Sequence, residues 1–168
     1  MHKSLILVGL LILVSGLFGG TALAETLQRN EVTLAVGACQ AALPAHEGSF
    51  RKRPLGMRNE GTSSAFLSCS ATSDYLAPGW FDVSVSFTNP TAEPVSINCT
   101  LVDAISTPAG VYFPKSIVVN AFSTSGVTWQ ATVDNGGQNF RAPAYSCLIP
   151  QGVELNQLLQ QRFEQVGS

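Results

Sequence analysis

The sequence predicts a mainly β protein: a single antiparallel β-sandwich stapled by two disulfides. Three observations carry that expectation. Residues 80–88 and 95–102 alternate apolar and polar side chains with period two. Further short apolar runs follow, separated by Gly, Pro and Asn turn signals. Four widely spaced cysteines, Cys39, Cys69, Cys99 and Cys147, occur in a chain that opens like an exported one.

The N-terminus sets the compartment. Lys3 gives a short positive start, residues 5–18 are almost wholly apolar, and Thr21-Ala22-Leu23-Ala24 supplies small residues where a signal peptidase cuts. The apolar run is about 14 residues, short of the roughly 20 that a spanning helix needs. Residues 1–24 are therefore expected to be a cleaved signal peptide, and residues 25–168 one secreted domain with no membrane span. Periplasmic and extracellular locations both fit. Eight of the nine basic residues and all eleven acidic ones lie beyond residue 24, a net charge near −3. So even a balance argues against nucleic acid as a partner.

The elements follow in order. Residues 25–38 read as a strand or arm, with Val32, Leu34 and Val36 alternating. Residues 40–64 are rich in Pro, Gly and Ser and read as loop, with a short strand near 55–58. Residues 65–70 form a short apolar run. Phe81, Val83, Val85 and Phe87 share one face of the next strand, and Val95, Ile97, Cys99 and Leu101 share a face of the one after. The six residues between, with Pro90 and Pro94, read as the turn of a β-hairpin. Runs at 110–113, 116–121, 126–133 and 144–149 continue the pattern, with a turn at Asp134-Asn135-Gly136-Gly137. No internal repeat is visible. Residues 154–166 stay open. Leu155, Leu158, Leu159, Phe163 and Val166 have helical spacing, while the neighbourhood favours a strand.

Four cysteines allow three pairings. Cys39–Cys69 and Cys99–Cys147 are favoured. Cys99 and Cys147 both sit in strand-like runs, and Cys39 and Cys69 bracket the loop-rich segment. Each closure is worth roughly 3–4 kcal/mol on a chain-entropy model.

Candidate chemistry is sparse. A serine hydrolase needs a base, and His46, the one histidine beyond residue 24, sits in a loop without a Gly-x-Ser-x-Gly elbow. Paired carboxylates would suit a small secreted hydrolase. The candidates Glu47, Glu60, Asp74, Asp82, Asp103 and Asp134 show no spacing that brings two together. No metal-ligand or phosphate-cradle motif is present, so no cofactor is expected. Asn98-Cys99-Thr100 matches a glycosylation acceptor by chance, inside a strand. Two weak leads for binding remain: the basic run Arg51, Lys52 and Arg53, suited to an anionic partner, and Tyr75 with Trp80 as exposed aromatics. Trp129 is expected in the core.

The segments Cys39-Gln40-Ala41-Ala42, Arg51-Lys52-Arg53-Pro54-Leu55, Asn59-Glu60-Gly61 and Phe66-Leu67-Ser68-Cys69 resemble small secreted proteobacterial proteins of no assigned function, as do Asn98-Cys99-Thr100-Leu101 and Cys147-Leu148-Ile149-Pro150. The resemblance implies an envelope or extracellular location and brings no catalytic residues. The leading expectation is a non-catalytic binding or interaction module, its partner an envelope protein or a glycan. The alternatives are the carboxylate hydrolase and a structural subunit of a surface assembly.

Overall fold

A computed structural model describes residues 25–71, 79–103 and 110–166. The expected signal peptide, Asp74 and Tyr75 lie outside the described residues. The strands are β1 (Glu25–Leu34), β2 (Cys39–Ala41), β3 (Phe50–Arg53), β4 (Gly56–Asn59), β5 (Ala65–Ser70), β6 (Asp82–Asn89), β7 (Val95–Asp103), β8 (Val111–Val119), β9 (Ser123–Gln130), β10 (Pro143–Ile149) and β11 (Glu154–Val166). Single helical turns occupy Ala35–Ala38 and Ala131–Asp134, and a 3-10 turn spans Pro44–Ser49.

Two antiparallel sheets form the sandwich. The first runs β3-β4-β11-β6-β9, with β1 also paired to β11; the second runs β2-β5-β10-β7-β8. Inward side chains from both sheets make one core that includes Trp80, Trp129, Tyr145, Phe87, Phe140, Ile97 and Leu158, all buried. Trp129 lies in that core as expected, and its indole N–H donates to the Phe113 carbonyl at 2.8 Å. Both favoured disulfides are present. Each joins directly opposed residues of neighbouring strands within the second sheet: Cys39 with Cys69, and Cys99 with Cys147. Disulfides of this kind form in oxidising compartments. No helix among the described residues is long and apolar enough to cross a membrane.

Two expectations are corrected, one left open is resolved, and one strand is shortened. First, β6 and β7 do not form a hairpin: β6 pairs with β11 and β9, whereas β7 pairs with β10 and β8. Residues 90–94 cross from one sheet to the other. Both apolar faces still point at one core, so alternation alone does not distinguish a hairpin from a crossing. The crossing is organised by Asn89, which is fully buried. Its amide nitrogen donates to the carbonyls of Glu93, Val119 and Asn120, and its oxygen accepts from the Thr91 amide and hydroxyl.

Second, the loop-rich segment holds the β3–β4 hairpin and then a crossing of the same design. Buried Asn59 ends β4; its amide nitrogen donates to the carbonyls of Ser63 and Ile149, and its oxygen accepts from the Gly61 amide. In both corners the Asn closes on the amide two residues on and the carbonyl four residues on, then reaches a strand end of the second sheet. A local repeat thus exists where the sequence shows none.

Third, residues 154–166 are a strand. Its register shifts between Leu155 and Gln157. This bulge lets Leu155 and Leu158, three apart, both point inward. The helical spacing is therefore the trace of a bulge. Gly56 lies against it, where any Cβ would collide with the Leu155 carbonyl oxygen.

Fourth, the strand expected over residues 25–38 ends at Leu34, where a helical turn takes over; Val32 and Leu34 are half-exposed, and β1 as a whole buries no side chain.

Candidate functional site

The fold separates the charges. Strand alternation divides the basic run. Arg51 lies opposite Arg58, and Arg53 opposite Gly56, on the outer face of the first sheet. Lys52 lies opposite the buried Met57 and so turns the other way. Arg53 is paired with Glu60. Arg51 donates to the carbonyls of Gly48 and Phe50, and Arg58 to that of Gly152. Arg51, Arg53 and Arg58 thus share the outer face, while Lys52 is separated from them because neighbours along a strand point to opposite faces.

Trp80 is fully buried, so it offers no surface to a ligand. It is bridged to Phe140, and the Arg162 guanidinium lies 5.2 Å from its ring centre. Arg162 also pairs with Glu31 at 2.9 Å. The aromatic content of residues 80–88 builds core. Phe81 is only partly buried and stacks on the exposed Phe163, ring centres 4.4 Å apart.

The acids are dispersed in structural roles. Buried Asp103 accepts from the backbone amides of Arg141 and Ala142. Asp134 accepts from Lys115 at 2.7 Å and from the Gln130 amide. Glu60 is taken by Arg53, and Asp82 accepts from Gln130 at 3.4 Å. Asp103, Asp134, Glu60 and Asp82 thus find cations and amides as partners. His46 accepts from the Phe66 amide through Nδ1 at 3.0 Å and stacks on the Phe66 ring, which fixes the loop to β5.

The outer face of the second sheet is different in kind. The buried partners on each strand fix which residues face outward. They are Gln40 on β2; Phe66, Ser68 and Ser70 on β5; Ala144, Ser146 and Leu148 on β10; Ser96, Asn98, Thr100 and Val102 on β7; and Tyr112, Pro114, Ser116 and Val118 on β8. None carries a charge. Hydroxyls and amides fill the middle, and Tyr112, 63% exposed, stands at one edge with Phe66, 40% exposed, toward the other. Asn98 and Ser116 are joined by a 2.7 Å hydrogen bond.

An open cleft of about 890 Å³ adjoins this face at its β2 end. Gln40, Ser68, Ser70, Ala144 and Ser146 line it from the sheet, and Glu47, Phe50, Lys52 and Met57 from the 3-10 turn and the β3–β4 hairpin. The Cys39–Cys69 disulfide forms part of its wall. Lys52 is thus the one member of the basic run that reaches the cleft. The signal for this face was present in the sequence: the polar halves of the alternating runs at 65–70, 95–102 and 144–149 contain no charged residue.

Tyr145 belongs to the core, with its ring centre 5.9 Å from that of Trp129. Its hydroxyl is buried and has no hydrogen-bond partner among the described residues. Burial raises the phenol far above its ordinary value near 10. A folded value above the unfolded one means that the neutral phenol's stability is intact below pH 10 and is lost as pH rises beyond it. Urea melts should therefore weaken above about pH 10, and Tyr145→Phe should flatten that slope while leaving stability at pH 7 unchanged or slightly raised. A full wild-type slope retained by Tyr145→Phe would place the alkaline transition elsewhere.

No protein-family model matches the chain, and no curated protein matches it. Solved structures do. A carbohydrate-binding module specific for non-crystalline cellulose is similar at 12% identity and a TM-score of 0.42, covering 76% of this chain and 87% of its own. A family 11 carbohydrate-binding module from Clostridium thermocellum is similar at 8% identity and 0.38, covering 90% and 92%. The disulfide-linked pilus subunit of Bacillus endospore appendages is similar at 10% identity and 0.36, covering 85% and 90%. At this degree of likeness no ligand or assembly passes to this chain.

Proposed function

We propose that this chain is an exported, non-catalytic binding module of the bacterial envelope, periplasmic or extracellular, whose ligand is a neutral glycan held on the outer face of the second sheet. One observation carries the reading. The chain has twenty charged residues, yet none faces outward on this five-stranded surface. An anionic or cationic partner would gain nothing there. A polyol would find donors and acceptors in Ser68, Ser146, Thr100, Asn98 and Gln40, and an aromatic edge in Tyr112 against which a sugar's apolar C–H face packs. The rigid, disulfide-stapled strands hold these groups in a fixed array, which reduces the ordering cost of binding.

The test is binding of purified protein to a panel of neutral and anionic polysaccharides by affinity electrophoresis and calorimetry. Neutral polymers are expected to bind. Tyr112→Ala should weaken them at least about tenfold, a loss near 1.4 kcal/mol, and Ser146→Glu should do the same without lowering the melting temperature. Retention of an anionic polymer alone, lost on Arg51→Glu with Arg53→Glu, would overturn the reading and move the site to the first sheet.

A further inference from the structure

We propose that β1 is a self-association edge: two copies pair antiparallel through β1, about a twofold axis at Asn30, and join their first sheets into one. β1 belongs to the first sheet, apart from the glycan face on the second.

A free strand edge is a row of unpaired amides and carbonyls, and proteins usually blunt it. Three of the other four sheet ends are blunted; the fourth, β9, is eight residues long with Gly126 within it. β2 and β3 are three and four residues long, and β3 carries Arg51, Lys52 and Arg53. β8 has Pro114 at its centre. β1 is neither short nor interrupted by proline, and the charges it carries, Glu25, Arg29 and Glu31, are of both signs. It runs ten residues without Pro, Gly or a break in register, and among the described residues β11 is its only sheet neighbour. It buries no side chain, so the core does not explain its length.

Charge selects the partner and the register. Arg29 and Glu31 lie on the inner face of the ribbon, paired diagonally across β11: Arg29 with Glu164 at 2.7 Å, and Glu31 with Arg162 at 2.9 Å. In an antiparallel pairing of two β1 strands that keeps inner residues opposite inner residues, only every second register is open. Centring on Arg29 sets Arg29 against Arg29 of the second copy. Centring on Glu31 sets Glu31 against its like. Centring on Asn30 sets Arg29 against Glu31 twice. Each row then alternates in sign over four strands: Glu164, Arg29, the second copy's Glu31, and its Arg162. Opposed unlike charges favour a cross-strand pair and like charges disfavour it. The outer face adds apolar surface to both copies, since Val32, Leu34 and Phe163 are each about half exposed.

The register predicts a covalent outcome. Directly opposite residues of antiparallel strands have Cα atoms roughly 4.5–5.5 Å apart, within reach of a disulfide. Asn30→Cys should therefore yield a reducible dimer on mild oxidation of the exported protein. Gln28→Cys should not, because Gln28 would face Val32 and lie roughly 13 Å along the strands from its own copy. In light scattering, the unmodified protein should dimerise with concentration. Asn30→Lys sets two ammonium groups on the axis and should weaken the dimer at least about tenfold, at an unchanged melting temperature because Asn30 is exposed. A protein that stays monomeric at millimolar concentration would overturn the proposal. So would equal cross-linking at positions 28 and 30, or a dimer indifferent to Asn30→Lys.

Discussion

Asn89→Asp is expected to cost about 4 kcal/mol at pH 7, although it exchanges one amide nitrogen for one oxygen. The amide of Asn89 donates to three carbonyls, at 2.8, 3.1 and 3.1 Å, and its oxygen accepts two hydrogen bonds from Thr91. The substitution keeps the acceptor. It turns the donor into a lone pair aimed at carbonyl oxygens, and it buries a charge with no cation among those five contacts. Burial and repulsion raise the introduced carboxyl above its ordinary value near 3.9. With the folded value raised, the neutral form is favoured by folding, so the variant regains stability as pH falls and loses it as pH rises through the folded value. Urea melts at pH 7 and pH 4.5 check both points. Asn89→Ala adds no charge, and should cost about 2–3 kcal/mol with no such pH dependence. Asn59→Asp should show the same pH dependence with a smaller deficit, because its amide donates to two carbonyls and its oxygen accepts one hydrogen bond. A deficit under about 1 kcal/mol at either site would mean that the crossing is held by strand packing and not by the buried amide.

These two asparagines show where the sequence stops being readable. Period-two alternation correctly marks Val83, Val85 and Phe87, and Ile97, Cys99 and Leu101, as inward. It is silent on which sheet each strand joins, because both sheets point at the same core. That choice is made at the corner. Asn-x-Gly at 59–61 and Asn-x-Thr at 89–91 look like ordinary turn chemistry until the carbonyls of Ile149 and Val119, 90 and 30 residues away, are seen to arrive. The final strand is ambiguous in sequence for another reason. A bulge shifts inward positions from i, i+2 to i, i+3, which is the spacing that also defines a helix face.

The binding leads take adjacency in sequence as adjacency in space, and the fold separates some of their members. Arg51 and Arg53 face away from Lys52 because strands alternate. Trp80 follows Pro78 and Gly79 and reads as a rim residue, yet it closes the core against Phe140. The uncharged face was legible only in part. Each strand shows its own uncharged outer half, but the order β2-β5-β10-β7-β8 that joins them into one surface is not written locally.

The disulfides are expected to contribute unequally, although their loops differ little. Cys99 and Cys147 are 48 residues apart and Cys39 and Cys69 are 30 apart. The chain-entropy model gives about 4 and about 3.7 kcal/mol. Replacing Cys99 and Cys147 together by Ala should lower the melting temperature by roughly 10–15 °C, since β7 and β10 lie at the centre of the second sheet and do not open without the core. Cys39 sits elsewhere. It fixes β2, a three-residue edge strand that is preceded by β1, whose side chains lie outside the core. Replacing Cys39 and Cys69 by Ala should open this arm locally before global unfolding, so the melting temperature falls less while amide exchange rises at residues 35–41. Losing both bridges removes about 7–8 kcal/mol, against a total of 5–15 for a domain. Reduced protein should then be largely unfolded at 37 °C, and the fold should persist only in an oxidising compartment. A reduced protein melting within about 2 °C of the oxidised one would break that link, leaving the core alone to hold the sandwich.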